Sequence, residues 1–303
     1  MTELPFHTLD VFTDRPFCGN PLAVVLGADG LSGDLMQSVA REFNLSETTF
    51  VLTASSPGAS HRVRIFTPAK ELPFAGHPTI GTAILLGQRG EGRPVAGGSA
   101  LVLEEQVGLV PVTLRTEPGR PAFAQLTTAK LPQMGPPPPA VAELAPVLSL
   151  PPDAIVDGPE DRPEAYSCGL PYLMVPVRDR AALGQVEMNE DCWRRILRGY
   201  WAPDVYVFCR DPERPQSAVR ARMFACEAGM VEDPATGSAA VALAGYLAAR
   251  ARGAGTLRWI VEQGVEMGRP GLLYLEADLA AGAVSEVRLG GAAVRMSEGV
   301  LTL

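Results

Sequence analysis

The chain has 303 residues, 47% of them apolar, and a formal charge of −8. That length suits two domains at roughly 100–200 residues each. The acidic balance, without any basic run, argues against nucleic acid as the main partner, and the apolar runs fall short of the roughly 20 residues a membrane span needs.

Residues 7–12 and 22–25 are short apolar runs separated by Arg15-Pro16-Phe17-Cys18-Gly19-Asn20-Pro21. They read as two strands joined by a turn. Ser32 is placed to cap a helix over 34–43, with Leu35, Val39 and Phe43 on one face. Strands are expected at 48–52 and 62–66, with a Ser-Pro-Gly turn between them. The segment Glu71-Leu72-Pro73-Phe74-Ala75-Gly76-His77 then opens a helix over 77–87 that is apolar on nearly every face. Such a helix belongs in the middle of a domain. Strands follow near 100–104 and 110–114. A proline-rich segment spans 131–163, and Pro136 to Pro139 must be extended there. Beyond it come a strand at 172–177, a helix at 190–198, strands at 204–209 and 219–224, and a second apolar helix at 238–250. Strands at 257–262 and 272–276 complete that half. Strand-like stretches at 293–296 and 300–303 lie beyond it and are placed to return to the first half.

The two halves are copies. Pro73 matches Pro234, Gly76 matches Gly237, His77 matches Ser238 and Ala83 matches Ala244. Arg64-Ile65-Phe66 answers Arg222-Met223-Phe224. The run Ser46-Glu47-Thr48-Thr49-Phe50-Val51 answers Pro203-Asp204-Val205-Tyr206-Val207-Phe208, and Gly19 to Val25 answers Gly169 to Val175. Leu103-Glu104-Glu105-Gln106 answers Ile260-Val261-Glu262-Gln263. A repeat of domain size implies two similar lobes, not a solenoid of short repeats. Expected boundaries are 1–117 plus 288–303 for the first lobe and 118–287 for the second. Both helix openings are built from small residues, and their first-turn N–H groups suit an anion.

Five motifs taken together carry a resemblance: Phe17-x-Gly19-Asn20-Pro21; Asn44-Leu45-Ser46-Glu47-Thr48; Phe66-Thr67-Pro68 with Glu71 to Pro78; Glu232-Asp233-Pro234-Ala235-Thr236-Gly237-Ser238-Ala239; and Gln263-Gly264 with Gly268-Arg269-Pro270. They resemble the PhzF-like isomerases of phenazine biosynthesis over essentially the whole chain. The resemblance implies the diaminopimelate epimerase fold. That is an α+β architecture of two pseudo-symmetric lobes, each a curved, mostly antiparallel sheet around a central helix, with the site in the cleft facing both helix openings. It also implies a homodimer acting on a small-molecule substrate.

By resemblance, Glu47 is the catalytic acid/base, since one carboxyl can take a proton from one carbon and return it to another. Its repeat partner is Asp204, and the residues alone do not choose between the two; a solvent-facing carboxylate at a strand end is the plainer reading. His77, expected as the first residue of its helix, can donate to a substrate oxygen or exchange a proton with Asp233, or merely cap the helix. Asp233 is implied as a partner in proton transfer, and a carboxylate before a helix also satisfies backbone N–H groups. Ser238 can donate to a substrate carboxylate. Asn20, Ser46, Gly76 and Gly237 are expected substrate-binding or turn positions; glycine lets backbone approach a ligand closely.

What is missing narrows the chemistry. Diaminopimelate epimerase carries a reactive cysteine at each helix-opening motif, and here those motifs hold no thiol. Cys226 reads as a small, buried apolar residue. The five cysteines are odd in number with no CxxC spacing, so neither a disulfide framework nor a zinc site is expected. No dinucleotide or Walker glycine pattern occurs, and no secretory leader is visible. The expectation is a cytoplasmic isomerase without cofactor or metal, moving a proton on a carboxylate-bearing cyclic or unsaturated substrate. The family's reference substrate is trans-2,3-dihydro-3-hydroxyanthranilate. The alternatives are an amino-acid-type epimerase with a second base, and a non-catalytic ligand- or protein-binding member.

Overall fold

The computed structural model describes residues 2–226, 232–251, 253–280 and 282–303. They divide into two units. Unit 1 runs to Ala129 and includes Leu289–Leu303; unit 2 is Lys130–Arg288.

Unit 1 contains β1 (Glu3–Val11), β2 (Asn20–Val25), α1 (Gly33–Phe43), β3 (Glu47–Leu52), β4 (His61–Phe66), β5 (Glu71–Leu72), α2 (Gly76–Gln88), β6 (Arg93–Val95), β7 (Gly98–Glu105), β8 (Gly108–Arg115) and β9 (Phe123–Thr127). Strand β8 alternates buried and exposed side chains, as a half-buried strand does. The sheet is mixed: β1/β2, β3/β4, β7/β8 and β8/β9 are antiparallel, whereas β2/β3 and β4/β7 are parallel. The last strand of the chain, Ala283–Thr302, pairs antiparallel with β1 and also bonds to β9. The ladder of unit 1 therefore has no free edge at β1 or β9. Helix α2 is buried from Gly76 to Leu86 and packs on β1, β2, β3, β7, β8 and β9. Helix α1 is capped by Ser32, whose oxygen accepts from the Leu35 N–H at 3.2 Å, and ends at Asn44 in the left-handed region. Its buried face is Met36, Val39 and Ala40, against Phe50 and Phe66. Leu35 is more than a third exposed, so the apolar stripe is rotated by one residue from the one the sequence suggests.

Unit 2 contains β10 (Gln133–Met134), α3 (Val141–Val147), β11 (Glu164–Ser167), β12 (Pro171–Pro176), α4 (Arg180–Gly184), α5 (Glu190–Ile196), β13 (Asp204–Cys209), β14 (Val219–Phe224), α6 (Gly237–Ala248), β15 (Gly255–Gln263) and β16 (Gly271–Ala280); β17 is the Ala283–Thr302 strand already described. Its sheet is also mixed, with parallel pairs at β12/β13 and β14/β15. Helix α6 is buried along almost its whole length and packs on β10, β11, β12, β15 and β16. Leu144, Val147, Leu173, Val175, Trp193 and Phe224 centre a further core, each large side chain stabilising the unit by about 1.5–3 kcal/mol through burial. No helix among the described residues is long and apolar enough to cross a membrane.

The duplicated sequence produces duplicated ladders. Leu22 pairs with Glu47 as Tyr172 pairs with Asp204. Thr48 pairs with Phe66 as Val205 pairs with Phe224. The Arg64 guanidinium binds Glu71 through two bonds of 2.7 Å, and Arg222 binds Glu232 at 2.8 and 2.9 Å. Each arginine also lies over a phenylalanine ring, Phe66 at 5.1 Å and Phe224 at 4.9 Å. One correspondence shifts. Leu103 pairs with His61 and Val261 with Val219, so Leu103 answers Val261 and Glu104 answers Glu262. Aligning the two Glu-Gln dipeptides put the strands one residue out of step. The structural match pairs carboxylates with one task. Glu104 accepts the N–H groups of Ser55 and Ser56 at 2.7 and 2.9 Å, and Glu262 those of Glu213 and Arg214 at 2.9 and 2.7 Å.

Candidate active site

In unit 1 the turn before β2 is held by its backbone. Phe17 has φ of 64° and its N–H donates to Asp10 Oδ2 at 2.6 Å. Gly19 has φ of 61°, and a Cβ there would lie 2.1 Å from the Val11 carbonyl oxygen. Only glycine fits both demands. The turn delivers Asn20, fully buried, to the first position of β2. Glu47 opens β3 directly after Ser46 and the α1 cap, and the two are half-buried. His77 is the second residue of α2, after Gly76, and is 3% exposed.

The structure sets His77 against Glu47: Nδ1 lies 3.2 Å from Glu47 Oε2. Burial pushes the imidazole down to about 3, against a smaller opposing effect of the Pro21 carbonyl that accepts from the ring. The contact is therefore a close approach of a neutral ring to a carboxylate near pH 7, not an ion pair. His77 Nε2 is buried with no hydrogen-bond partner, so the proton donated to Pro21 sits on Nδ1. That hydrogen is taken by Pro21, so the ring borders the Glu47 carboxylate at 3.2 Å without neutralising it.

In unit 2 the opening of α6 is braced by Gln263. Its Nε2 donates to the Asp233 carbonyl at 2.8 Å and to Thr236 Oγ1 at 3.1 Å. Its Oε1 accepts from the Thr236 N–H at 3.1 Å and from Tyr206 at 2.9 Å. The Asp233 carboxylate takes a short bond from the Thr236 hydroxyl. The next glycine, Gly264, has φ of 79°, and a Cβ there would meet the Pro234 carbonyl oxygen at 2.4 Å. Gly237 begins α6, and Ser238 Oγ lies 2.6 Å from the Tyr172 hydroxyl. Asp204 opens β13 opposite Tyr172.

The sequence motifs single out Glu47 and His77 without revealing that they touch. It also gave no role to Thr79, Glu105, Tyr172 or Gln263, whose partners lie many residues away along the chain. The sequence touched two of them: both Glu105 and Gln263 fall in the matched repeat, and Gln263-Gly264 is also one of the five motifs. Cys226 is half-buried beside the core of unit 2, and burial pushes its thiol up to about 11. No group of three or more His, Cys, Asp or Glu side chains placed to hold a metal occurs among the described residues. The assembled chemistry of unit 1 is a carboxylate beside a neutral imidazole, which suits abstraction and return of a proton.

Residues 9–299 match the family model described as phenazine biosynthesis-like protein. The chain is 42% identical to an uncharacterized isomerase of Mesorhizobium japonicum, over 96% of each chain. It is 37% identical to trans-2,3-dihydro-3-hydroxyanthranilate isomerase of Pseudomonas aeruginosa, over 97% of this chain and 98% of that one. The crystal structure of the Bacillus anthracis phenazine biosynthesis protein of the PhzF family superposes with a TM-score of 0.89 at 26% identity, over the full length of both chains. A full-length family match, named isomerases among the relatives and a shared fold make the chain an isomerase of the phenazine biosynthesis-like, PhzF, family.

Proposed function

We propose that this isomerase moves a proton on a small, carboxylate-bearing cyclic or unsaturated substrate, with Glu47 as the single acid/base. The observation that carries the reading is the 3.2 Å contact between His77 Nδ1 and Glu47 Oε2. Glu47 as carboxylate takes a proton from a carbon of the substrate, leaving the electron pair delocalised into the conjugated system. Glu47 as carboxylic acid then returns that proton to a second carbon. His77 stays neutral throughout, its ring packed beside the carboxylate. The relatives named trans-2,3-dihydro-3-hydroxyanthranilate isomerase make that compound the first substrate to test.

The family resemblance supports further roles. Asn20, Ser46, Gly76, Gly237 and Ser238 bind substrate, and Asp233 assists proton transfer. No cofactor enters this scheme. A cytoplasmic homodimer is proposed on the same basis, and sedimentation at micromolar concentration tests the dimer.

Glu47→Gln is the direct test of the acid/base role. The amide is nearly isosteric and cannot act as a base, so turnover falls by about 10²-fold or more while the fold is kept. Turnover near the wild-type value would move the role to another residue, with Asp204, the repeat equivalent, examined first. Such an outcome, with exchange at a stereocentre, would favour an epimerase. Saturable binding with no turnover on any substrate would favour a binding protein.

A further inference from the structure

One buried acid in unit 1 lies outside the proposed proton transfer. Glu105 ends β7, is 5% exposed, and its Oε1 lies 2.6 Å from Thr79 Oγ1 in the first turn of α2. The same Thr79 oxygen lies 2.7 Å from the Ala75 carbonyl, at the N-cap of that helix. A hydroxyl has one hydrogen. The Ala75 carbonyl can only accept, so Thr79 donates to it. The hydrogen in the Thr79–Glu105 contact must then come from Glu105. Its Oε2 is buried with no hydrogen-bond partner, a costly place for an anion and a tolerable one for a neutral acid.

The repeat gives an independent indication. With Glu104 matched to Glu262, Glu105 falls on Gln263. That neutral amide donates to Thr236 Oγ1 and the Asp233 carbonyl at the opening of α6. A neutral hydrogen donor thus serves one helix opening already.

We propose that Glu105 is held as a neutral carboxylic acid whose O–H donates to Thr79, and that this chain of bonds positions the Ala75-Gly76-His77 turn. Burial pushes the carboxyl up to about 8, and a bond donated by the neutral acid favours the same form. The charged groups on the elements around it do not offset this. Arg64 and Glu71 pair with each other, Glu104 is taken by Ser55 and Ser56, Arg62 lies opposite Glu104, and Arg115 is at the far end of β8. The one titratable group of α2, His77, is neutral. Glu105 is a positioning residue: it acts on the site through Thr79 and Ala75.

The test uses the full chain and no turnover, so its failure leaves the assignment of Glu47 standing. Infrared spectra of protein labelled with ¹³C-glutamate are recorded from pH 5 to 9. A protonated-carboxyl band is expected at pH 7, fading as the pH passes about 8 and absent in Glu105→Gln. The melting temperature of Glu105→Gln should rise relative to wild type as pH increases from about 5 to about 8, because only wild type must release that proton. Glu105→Ala should shift the NMR signals of the His77 ring, and Glu105→Gln should restore them. A wild-type chain with no protonated glutamate at pH 7 overturns the proposal even if the variants do not fold. Unchanged His77 signals in a folded Glu105→Ala chain overturn the positioning role.

Discussion

Burial of His77 sets the protonation states available beside Glu47. The imidazole is pushed down to about 3, below its usual value near 6.5. The unfolded chain therefore binds a proton at His77 between about pH 6.5 and 3 that the folded chain does not. This contribution to stability is fully present above pH 6.5 and is lost as pH falls toward 3, amounting to a few kcal/mol in order of magnitude. His77→Asn, neutral at every pH, should flatten the decline of melting temperature over that window. Proton NMR gives the direct check: the His77 ring signals should not titrate between pH 5 and 8. A midpoint near 6.5 would make the ring cationic in the working range and recast its contact with Glu47 as an ion pair. At this scale the sequence proposed site residues through the motifs around them. The contact between Glu47 and His77 was not legible, because it depends on how β3 meets α2 in space. Sequence alone offered a substrate oxygen or Asp233 as the partner of His77, and the structure adds Glu47 beside the ring.

The two helix openings show how whole elements are held for function. Gln263 satisfies four polar partners around the opening of α6, all of them hydrogen-bonded through its amide. Gln263→Ala would strand these groups, each costing about 1–3 kcal/mol when left buried and unpaired. Thermal unfolding should show a loss larger than the ~1 kcal/mol of an average substitution; a smaller loss would mean that the loop re-pairs. The turn before β2 is equally constrained. Gly19→Ala must place a methyl against the Val11 carbonyl at positive φ, and should destabilise unit 1 by about 1–3 kcal/mol. Near-wild-type unfolding would show that the turn can shift. Periodicity found most of the long elements, including the burial of α2 and α6. It missed α3, which lies inside the proline-rich segment and carries Pro146. It also rotated the face of α1, because Leu35 and Met36 are equally apolar and only packing against Phe50 and Phe66 decides between them.

Across the molecule, the duplication organises both units, down to paired arginine–glutamate forks and matched strand registers. The sequence revealed the duplication from short matches, and it erred by one residue where a repeated Glu-Gln invited the wrong alignment. Strand β17 was read as two short pieces, because the glycines and polar residues within it interrupt the apolar pattern; it is one strand of Ala283–Thr302. Its last part pairs with β1 from Glu3 to Val11. Deletion of residues 289–303 should therefore unpair β1 and β9 and abolish cooperative unfolding of unit 1, as followed by circular dichroism; a sharp wild-type transition would contradict that dependence. The central claim is that one carboxyl, Glu47, both removes and returns the proton. Its side chain is only 15% exposed, so the proton it carries can be shielded from solvent. The decisive measurement is conversion of trans-2,3-dihydro-3-hydroxyanthranilate in D₂O, with the product of the earliest turnovers analysed by mass spectrometry. Part of the product should keep the original hydrogen at the receiving carbon. Complete deuterium incorporation from the first turnover would contradict a shielded single-base transfer and point to two bases or an open site.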